Sequence, residues 1–299
     1  MATTVSPCRA VERPRDAHGL LAASLLVCLV GCSEDSTTPS AGEPPETPET
    51  EHLISFAAQL GGATFSCGRS FDGIGATNAR VEPLDLRAFV HGFETQDASG
   101  TWVPLQVVDV ERWQAQGVAL LDFASPETGC PNAGSDLRRE VLVRGPVDAL
   151  RGVRFVLGVP FENNHRDPST APAPLSSTAM HWSWQAGYKF LRFDITVEDS
   201  GPWLVHLGST GCEGPMTAVT GCAAENRVAI ELADWTPDAG AVVMDLDTLL
   251  ADADVRFNTP DTATGCMSSP TDPECDPIFA ALGLGEPGQG LTPSLFRAP

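Results

Sequence analysis

The sequence predicts an all-β fold, a disulfide-stapled β-sandwich with a few short helices. Three observations carry this: a two-residue hydrophobic period in short runs, turn-forming residues between the runs, and cysteines left in an even number once the N-terminus is set aside. Alternating apolar and polar residues place one face of an extended chain in a core and the other outside it. The chain has 299 residues, 42% of them hydrophobic, which supplies a full core, and its 25 prolines keep helices short.

In chain order the alternating runs cover residues 52–58, 84–93, 102–107, 118–123, 140–144, 152–159, 188–197, 202–207 and 227–232. Gly61-Gly62, Ala98-Ser99-Gly100, Gly129-Cys130-Pro131-Asn132 and Asp199-Ser200-Gly201-Pro202 punctuate them as turns. This many short strands with such spacing reads as a sandwich. Short helices are expected at 244–251 and 277–282. With neither an internal repeat nor a boundary visible, one domain is expected over 52–299.

Residues 1–31 read as an export signal. Arg9, Arg13 and Arg15 form a basic start, and the apolar stretch 20–30 is too short to span a bilayer but suits a signal. Leu29-Val30-Gly31-Cys32 resembles a bacterial lipobox, in which cleavage precedes the cysteine and lipid is attached to Cys32. Ser33, in place of an aspartate, favours the outer membrane over the inner one. Residues 32–51 are rich in Pro, Glu and Thr and poor in large apolar residues, so they read as a tether. The expected location is the periplasm or cell surface, with the lipid as the sole membrane contact.

Charge excludes one class of partner. With 18 basic against 39 acidic residues the net charge is −21, so phosphate backbones are repelled and nucleic acid is not expected. The same charge concentrates cations near the surface without choosing among them.

Of nine cysteines, Cys8 and Cys28 leave with the signal and Cys32 takes lipid. Six remain, an even number for an oxidising compartment. Cys212–Cys222 and Cys266–Cys275 would close short loops containing Gly or Pro, which leaves Cys67–Cys130. Oxidised, none of them is a thiolate ligand or nucleophile, and no C-x-x-C spacing supports a thiolate metal site.

Other motif matches carry little. Gly283-Leu-Gly285-Glu-Pro-Gly288 spells a dinucleotide fingerprint, but Pro287 and the nearby chain end leave no room for the βαβ unit it requires. Asp245, Asp247, Asp252 and Asp254 lack calcium-loop spacing. Ser209 beside His206 lacks the elbow and third member of a hydrolase triad. No acid–base pair stands out, so a binding protein is expected rather than an enzyme.

The chemistry concentrates in Met180-His181-Trp182-Ser183-Trp184-Gln185-Ala186-Gly187-Tyr188-Lys189, which holds two of six tryptophans and the chain's single tyrosine and lysine. Around it lie Leu157-Gly-Val-Pro-Phe-Glu-Asn-Asn-His165, His206-Leu-Gly-Ser-Thr-Gly-Cys212, Asp85-Leu-Arg-Ala-Phe-Val-His91 and Gly265-Cys-Met-Ser268. These strings resemble the MbnP-like family of secreted copper-binding proteins, also called the four-cysteine metallo-mystery pair proteins, over residues 53–283. The resemblance implies a dihaem partner of the MauG and cytochrome c peroxidase type. That partner oxidises the first tryptophan of W-x-W, here Trp182, to kynurenine, and binding of one Cu(I) depends on the change. Trp184 is the second tryptophan of the motif.

An indole nitrogen only donates a hydrogen bond, whereas kynurenine offers an aryl amine and a ketone with usable lone pairs. Imidazole and thioether suit Cu(I). His165, in a loop leaving a strand, and His206, ending one before a glycine-rich turn, are the first metal candidates. His91 follows, although it shares a strand face with Phe89 and Phe93, as a packed core histidine would. Strand alternation places Met180 on the face of Trp182 and turns His181 away. His52 reads as a surface residue. The resulting expectation is an exported lipoprotein for copper uptake or homeostasis; the alternative is a non-metal surface module recognising a protein or glycan.

Overall fold

Alternation along the chain turns directly into two facing sheets. In the strand Thr50–Leu60, Ile54, Phe56, Ala58 and Leu60 are buried while the residues between them are partly open to solvent. The computed structural model describes residues 49–131, 136–183, 187–215, 218–285 and 291–299, all within one unit, Thr47–Pro299.

The first sheet runs in the order Phe296–Arg297, Val242–Asp245, Thr50–Leu60, Glu140–Gly145 and Gln106–Val107. Thr50–Leu60 is parallel to Val242–Asp245 and antiparallel to Glu140–Gly145. The second sheet is built on Ala79–Gln96, an 18-residue strand flanked by Gly187–Val197 and Val153–Leu157. Gly201–Gly208 extends this sheet beyond Gly187–Val197, and Val228–Leu232 extends it beyond Val153–Leu157. Aromatic rings join the sheets: Phe155 of the second lies edge-on to Phe56 and Phe296 of the first, at 5.5 and 5.1 Å between centroids. Such pairs add to the area they bury.

The expected all-β, disulfide-stapled sandwich is what forms, with differences in detail, among them the unexpected strands Phe71–Ile74, Thr210–Glu213 and Gly221–Ala224. The run 102–107 is two strands, because Trp102–Pro104 pairs with Ala79–Gln96 while Gln106–Val107 crosses to Glu140–Gly145. The stretch 244–251 begins as strand, and helix covers only Leu246–Leu250, capped by the Asp245 carboxylate accepting from the N–H groups of Asp247 and Thr248. A further helical turn, Phe161–Asn164, forms where no helix was expected. The first strand begins at Thr50, where Thr50 and Glu51 already pair with Gly145 and Arg144, so the fold starts inside the expected tether. The second expected helix lies at Cys275–Ala281.

Three disulfides join Cys67 to Cys130, Cys212 to Cys222 and Cys266 to Cys275, the partners that loop length and elimination suggest. They place the fold in an oxidising compartment outside the cytoplasm. Cys67, Cys130, Cys266 and Cys275 are buried, whereas Cys212 and Cys222 are half-buried on a separate ribbon, Thr210–Glu213 with Gly221–Ala224. Among the described residues no helix is long and apolar enough to cross a membrane. The expected signal, Cys32 and the tether up to residue 48 lie outside the described residues.

Candidate metal centre

The second sheet carries a charged lattice under cover. Register sets Arg87 against Arg192, Asp85 against Asp194, and Arg192 against His206. Alternation puts these polar residues on the face opposite Leu86, Phe193 and Val205. Arg87 Nε lies 3.1 Å from Asp85 and 3.3 Å from Asp122. Arg192 bridges Asp85 at 3.3 Å and Asp194 at 2.6 Å, and His206 Nε2 lies 2.7 Å from Asp194 Oδ1. Lone buried ions are costly, so the lattice persists because each charge has an opposite neighbour. Burial lifts the Asp85 carboxyl above its ordinary range and lifts Asp122 to about 6. Burial also works against the Asp194 carboxylate, but His206 and Arg192 outweigh it and hold that group below its ordinary value.

The segment 175–182, up to the first tryptophan of the motif, is pinned over this face. Lys189 Nζ donates to the Ala179 carbonyl at 3.0 Å, and the Tyr188 hydroxyl donates to the Leu175 carbonyl. His181 and Trp182 pair with Tyr188 and Gly187 as a short strand. Trp182 is 5% exposed, and its ring lies 6.2 Å from that of His206. Gly208 makes room for it, since a Cβ there would stand 2.6 Å from Trp182 Cζ3.

His206 is set up as a ligand through one particular nitrogen. Its Nε2 faces the ionised Asp194, so that nitrogen carries the proton, and Nδ1 keeps the lone pair. Nδ1 is buried with no hydrogen-bond partner among the described residues. Burial lowers the pKa of the ring despite Asp194, so it stays neutral.

His165 is fixed in the opposite tautomer by Asn164, which is fully buried at the end of the turn Phe161–Asn164. Asn164 Oδ1 accepts from the Tyr188 N–H at 2.8 Å, which turns Nδ2 towards His165 Nε2 at 3.1 Å. His165 Nε2 is therefore the unprotonated nitrogen, and its lone pair accepts the Asn164 N–H. Asn164 Nδ2 also reaches Ser209 Oγ at 3.5 Å, and a Cβ on Gly187 would approach Nδ2 within 3.0 Å. The turn carrying His165 thus rests on the strand partner of Trp182 and on the residue following Gly208. Asn164, which holds His165, and Trp182, beside His206, both lie against the end of the hairpin where Gly187 and Gly208 sit. Beside them, the ligand atoms of His165, Cys212 and Cys222 all lie within 4.8 Å of one another. The two sulfurs are bonded to each other and supply no thiolate in this state.

A family model described as MbnP matches residues 50–268, a span holding all of these groups. This chain belongs to the MbnP family. Among solved structures, MbnP from Methylosinus trichosporium is similar at 28% identity with a TM-score of 0.73, over 83% of this chain and 98% of that one. Among curated proteins, none matches the chain.

The remaining candidates of this MbnP-family chain have other surroundings. His91 pairs with Val118 and Val156, and its buried Nε2 has no hydrogen-bond partner among the described residues. Burial, helped by Arg227 and opposed by Glu162, lowers its pKa to about 4. Met180 is fully buried in the core and lies in the 3-10 turn Thr178–Met180. It stands one residue before the short strand His181–Trp182, with Met180 and Trp182 buried and His181 between them half-buried. His181 is half-buried, edge-on to Tyr188 at 5.2 Å. His52 Nε2 meets the Val147 carbonyl at 2.9 Å. Trp184 lies outside the described residues.

Asn164 and Asp194, which orient the two histidines, were not among the expected site residues. Asp194 does carry a signal, as R-x-D inside the apolar strand Gly187–Val197 mirrors D-x-R at Asp85 and Arg87.

Proposed function

We propose that this MbnP-family protein is an exported copper-binding lipoprotein that holds one Cu(I) after Trp182 is oxidised to kynurenine by a MauG- or cytochrome c peroxidase-like dihaem partner. Its role is copper uptake or homeostasis, with Cys32 carrying the lipid, and it binds rather than catalyses. The observation that carries this reading is His206 Nδ1, a buried lone pair beside the Trp182 ring with no hydrogen-bond partner among the described residues. A neutral imidazole of this kind suits Cu(I).

Cu(I) is the cargo, and each residue has a stated part. His206 offers Nδ1, with Asp194 holding its other nitrogen, as a carboxylate does behind many metal-bound histidines. His165 offers Nε2, whose lone pair accepts from Asn164 until the ion takes that place. His91 is kept neutral and is the third imidazole to test. Opening the indole of Trp182 leaves a ketone and frees an aryl amine, whose lone pair the intact ring does not supply. The ring is buried, so a ligand created there is shielded from water.

The test is co-production with a dihaem enzyme of that class, followed by equilibrium dialysis against Cu(I) and mass mapping of the Trp182 peptide. The expected result is one equivalent of Cu(I) and a peptide in which one carbon has been exchanged for one oxygen. Protein made without the dihaem enzyme, and a Trp182→Phe variant, should lose tight binding. An unmodified native peptide, or full binding by Trp182→Phe, would overturn the proposal. Oxidised protein that takes up no copper would return the function to a non-metal surface module.

A further inference from the structure

We propose that the Cys212–Cys222 disulfide is a redox gate: reduced, its two thiolates and His165 form an alternative Cu(I) site, which shares His165 with the one above and needs no oxidation of Trp182. The three ligand atoms already lie within 4.8 Å of one another, and His165 Nε2 stands 3.5 Å from Cys222 Sγ. Asn164 Nδ2 donates to the lone pair of that nitrogen, so the contact with sulfur is not a hydrogen bond from the ring, and an ion bound there takes the place of the amide N–H. Completing the site takes free thiolates and release of the Asn164 N–H from His165 Nε2.

Position makes this disulfide the one to open. Cys67, Cys130, Cys266 and Cys275 are buried in the core, whereas Cys212 and Cys222 are half-buried and sit directly opposite each other on a two-stranded ribbon outside both sheets. A dithiol reductant reaches them without unfolding the sandwich. The S–S bond breaks as the reductant supplies two electrons and two protons and is itself oxidised to a disulfide. Cu(I) then displaces the two thiol protons, forming two Cu–S bonds and one Cu–N bond to His165. Two thiolates and an imidazole match the softness of Cu(I) and its tolerance of low coordination. A disulfide oxidant that takes up the two electrons re-forms the S–S bond, breaks the two Cu–S bonds and releases the ion, so the pair couples copper retention to the redox state outside the cytoplasm.

The experiment uses the full chain made without the dihaem enzyme, so that Trp182 stays intact and the site proposed above cannot contribute. Limited treatment with dithiothreitol, alkylation of a sample and peptide mapping report which disulfide opens. The reduced protein, freed of reductant under anaerobic conditions, is titrated with Cu(I) against a chromogenic competitor and studied by copper X-ray absorption. The expected result is selective opening of Cys212–Cys222 and uptake of one equivalent, with two sulfur and one nitrogen scatterers. That equivalent should be lost in Cys212→Ser/Cys222→Ser, which keeps every other cysteine, and after alkylation of the wild-type pair. His165→Ala should remove the nitrogen scatterer and weaken binding at least about 10-fold. Opening of another disulfide first, no uptake, or uptake that alkylation leaves unchanged would overturn the proposal.

Discussion

At the scale of single residues, the site depends on which nitrogen of each imidazole carries a proton. Asp194 selects Nε2 of His206, and Asn164 selects the opposite tautomer of His165. Asp194→Asn removes the charge that favours the Nε2–H form, so Cu(I) affinity of the oxidised protein should fall about 10- to 100-fold, read by competition titration. His91 gives a pH prediction with a definite sign. Its folded pKa is about 4 against an ordinary 6.5, so the unfolded chain binds this proton first as pH falls. The stability it contributes is present above pH 6.5 and is lost on the way down to about 4. Asp122, raised to about 6, works the other way, losing stability as pH rises through that value. The two offset each other in the wild type, so a variant is needed to separate them. Urea midpoints at neutral and mildly acidic pH should show His91→Gln losing about 2 kcal/mol less than the wild type on acidification.

At the scale of elements, glycines at 187 and 208 let two segments touch. Gly208 lies under Trp182, where a Cβ would meet Cζ3 at 2.6 Å and the Tyr188 carbonyl at 2.7 Å. Gly208→Ala should therefore cost about 1–3 kcal/mol and shift tryptophan fluorescence, as overpacked cores do. The glycine of H-L-G-S is legible in the sequence, but its reason is not, because Trp182 reaches it from 26 positions away. The centres of the longer strands were readable from local alternation, whereas Phe71–Ile74 and Val242–Asp245 were not, because four residues are too few to show a period.

At the scale of the molecule, long closures hold the two sheets and their cover in place. Cys67–Cys130 joins residues 63 apart, the longest of the three spans. In a chain-entropy account its loss should cost about 4 kcal/mol, measurable as a lower urea midpoint of Cys67→Ala/Cys130→Ala. Removing the ribbon disulfide, with a span of 10 residues outside the sheets, should cost less. That contrast lets Cys212–Cys222 open while the fold stays closed.

From its residues alone the chain declared an exported β-sandwich, the short disulfide loops and the stretch around Trp182, because alternation, turn chemistry and contiguous motifs are local and survive reading in one dimension. Only the folded chain decided that Asp194 backs His206, that Asn164 orients His165, and that His165 faces a disulfide 47 and 57 positions further on. Those relations depend on strand register and on which loop covers which face, and these are set when distant segments bury their apolar surface together.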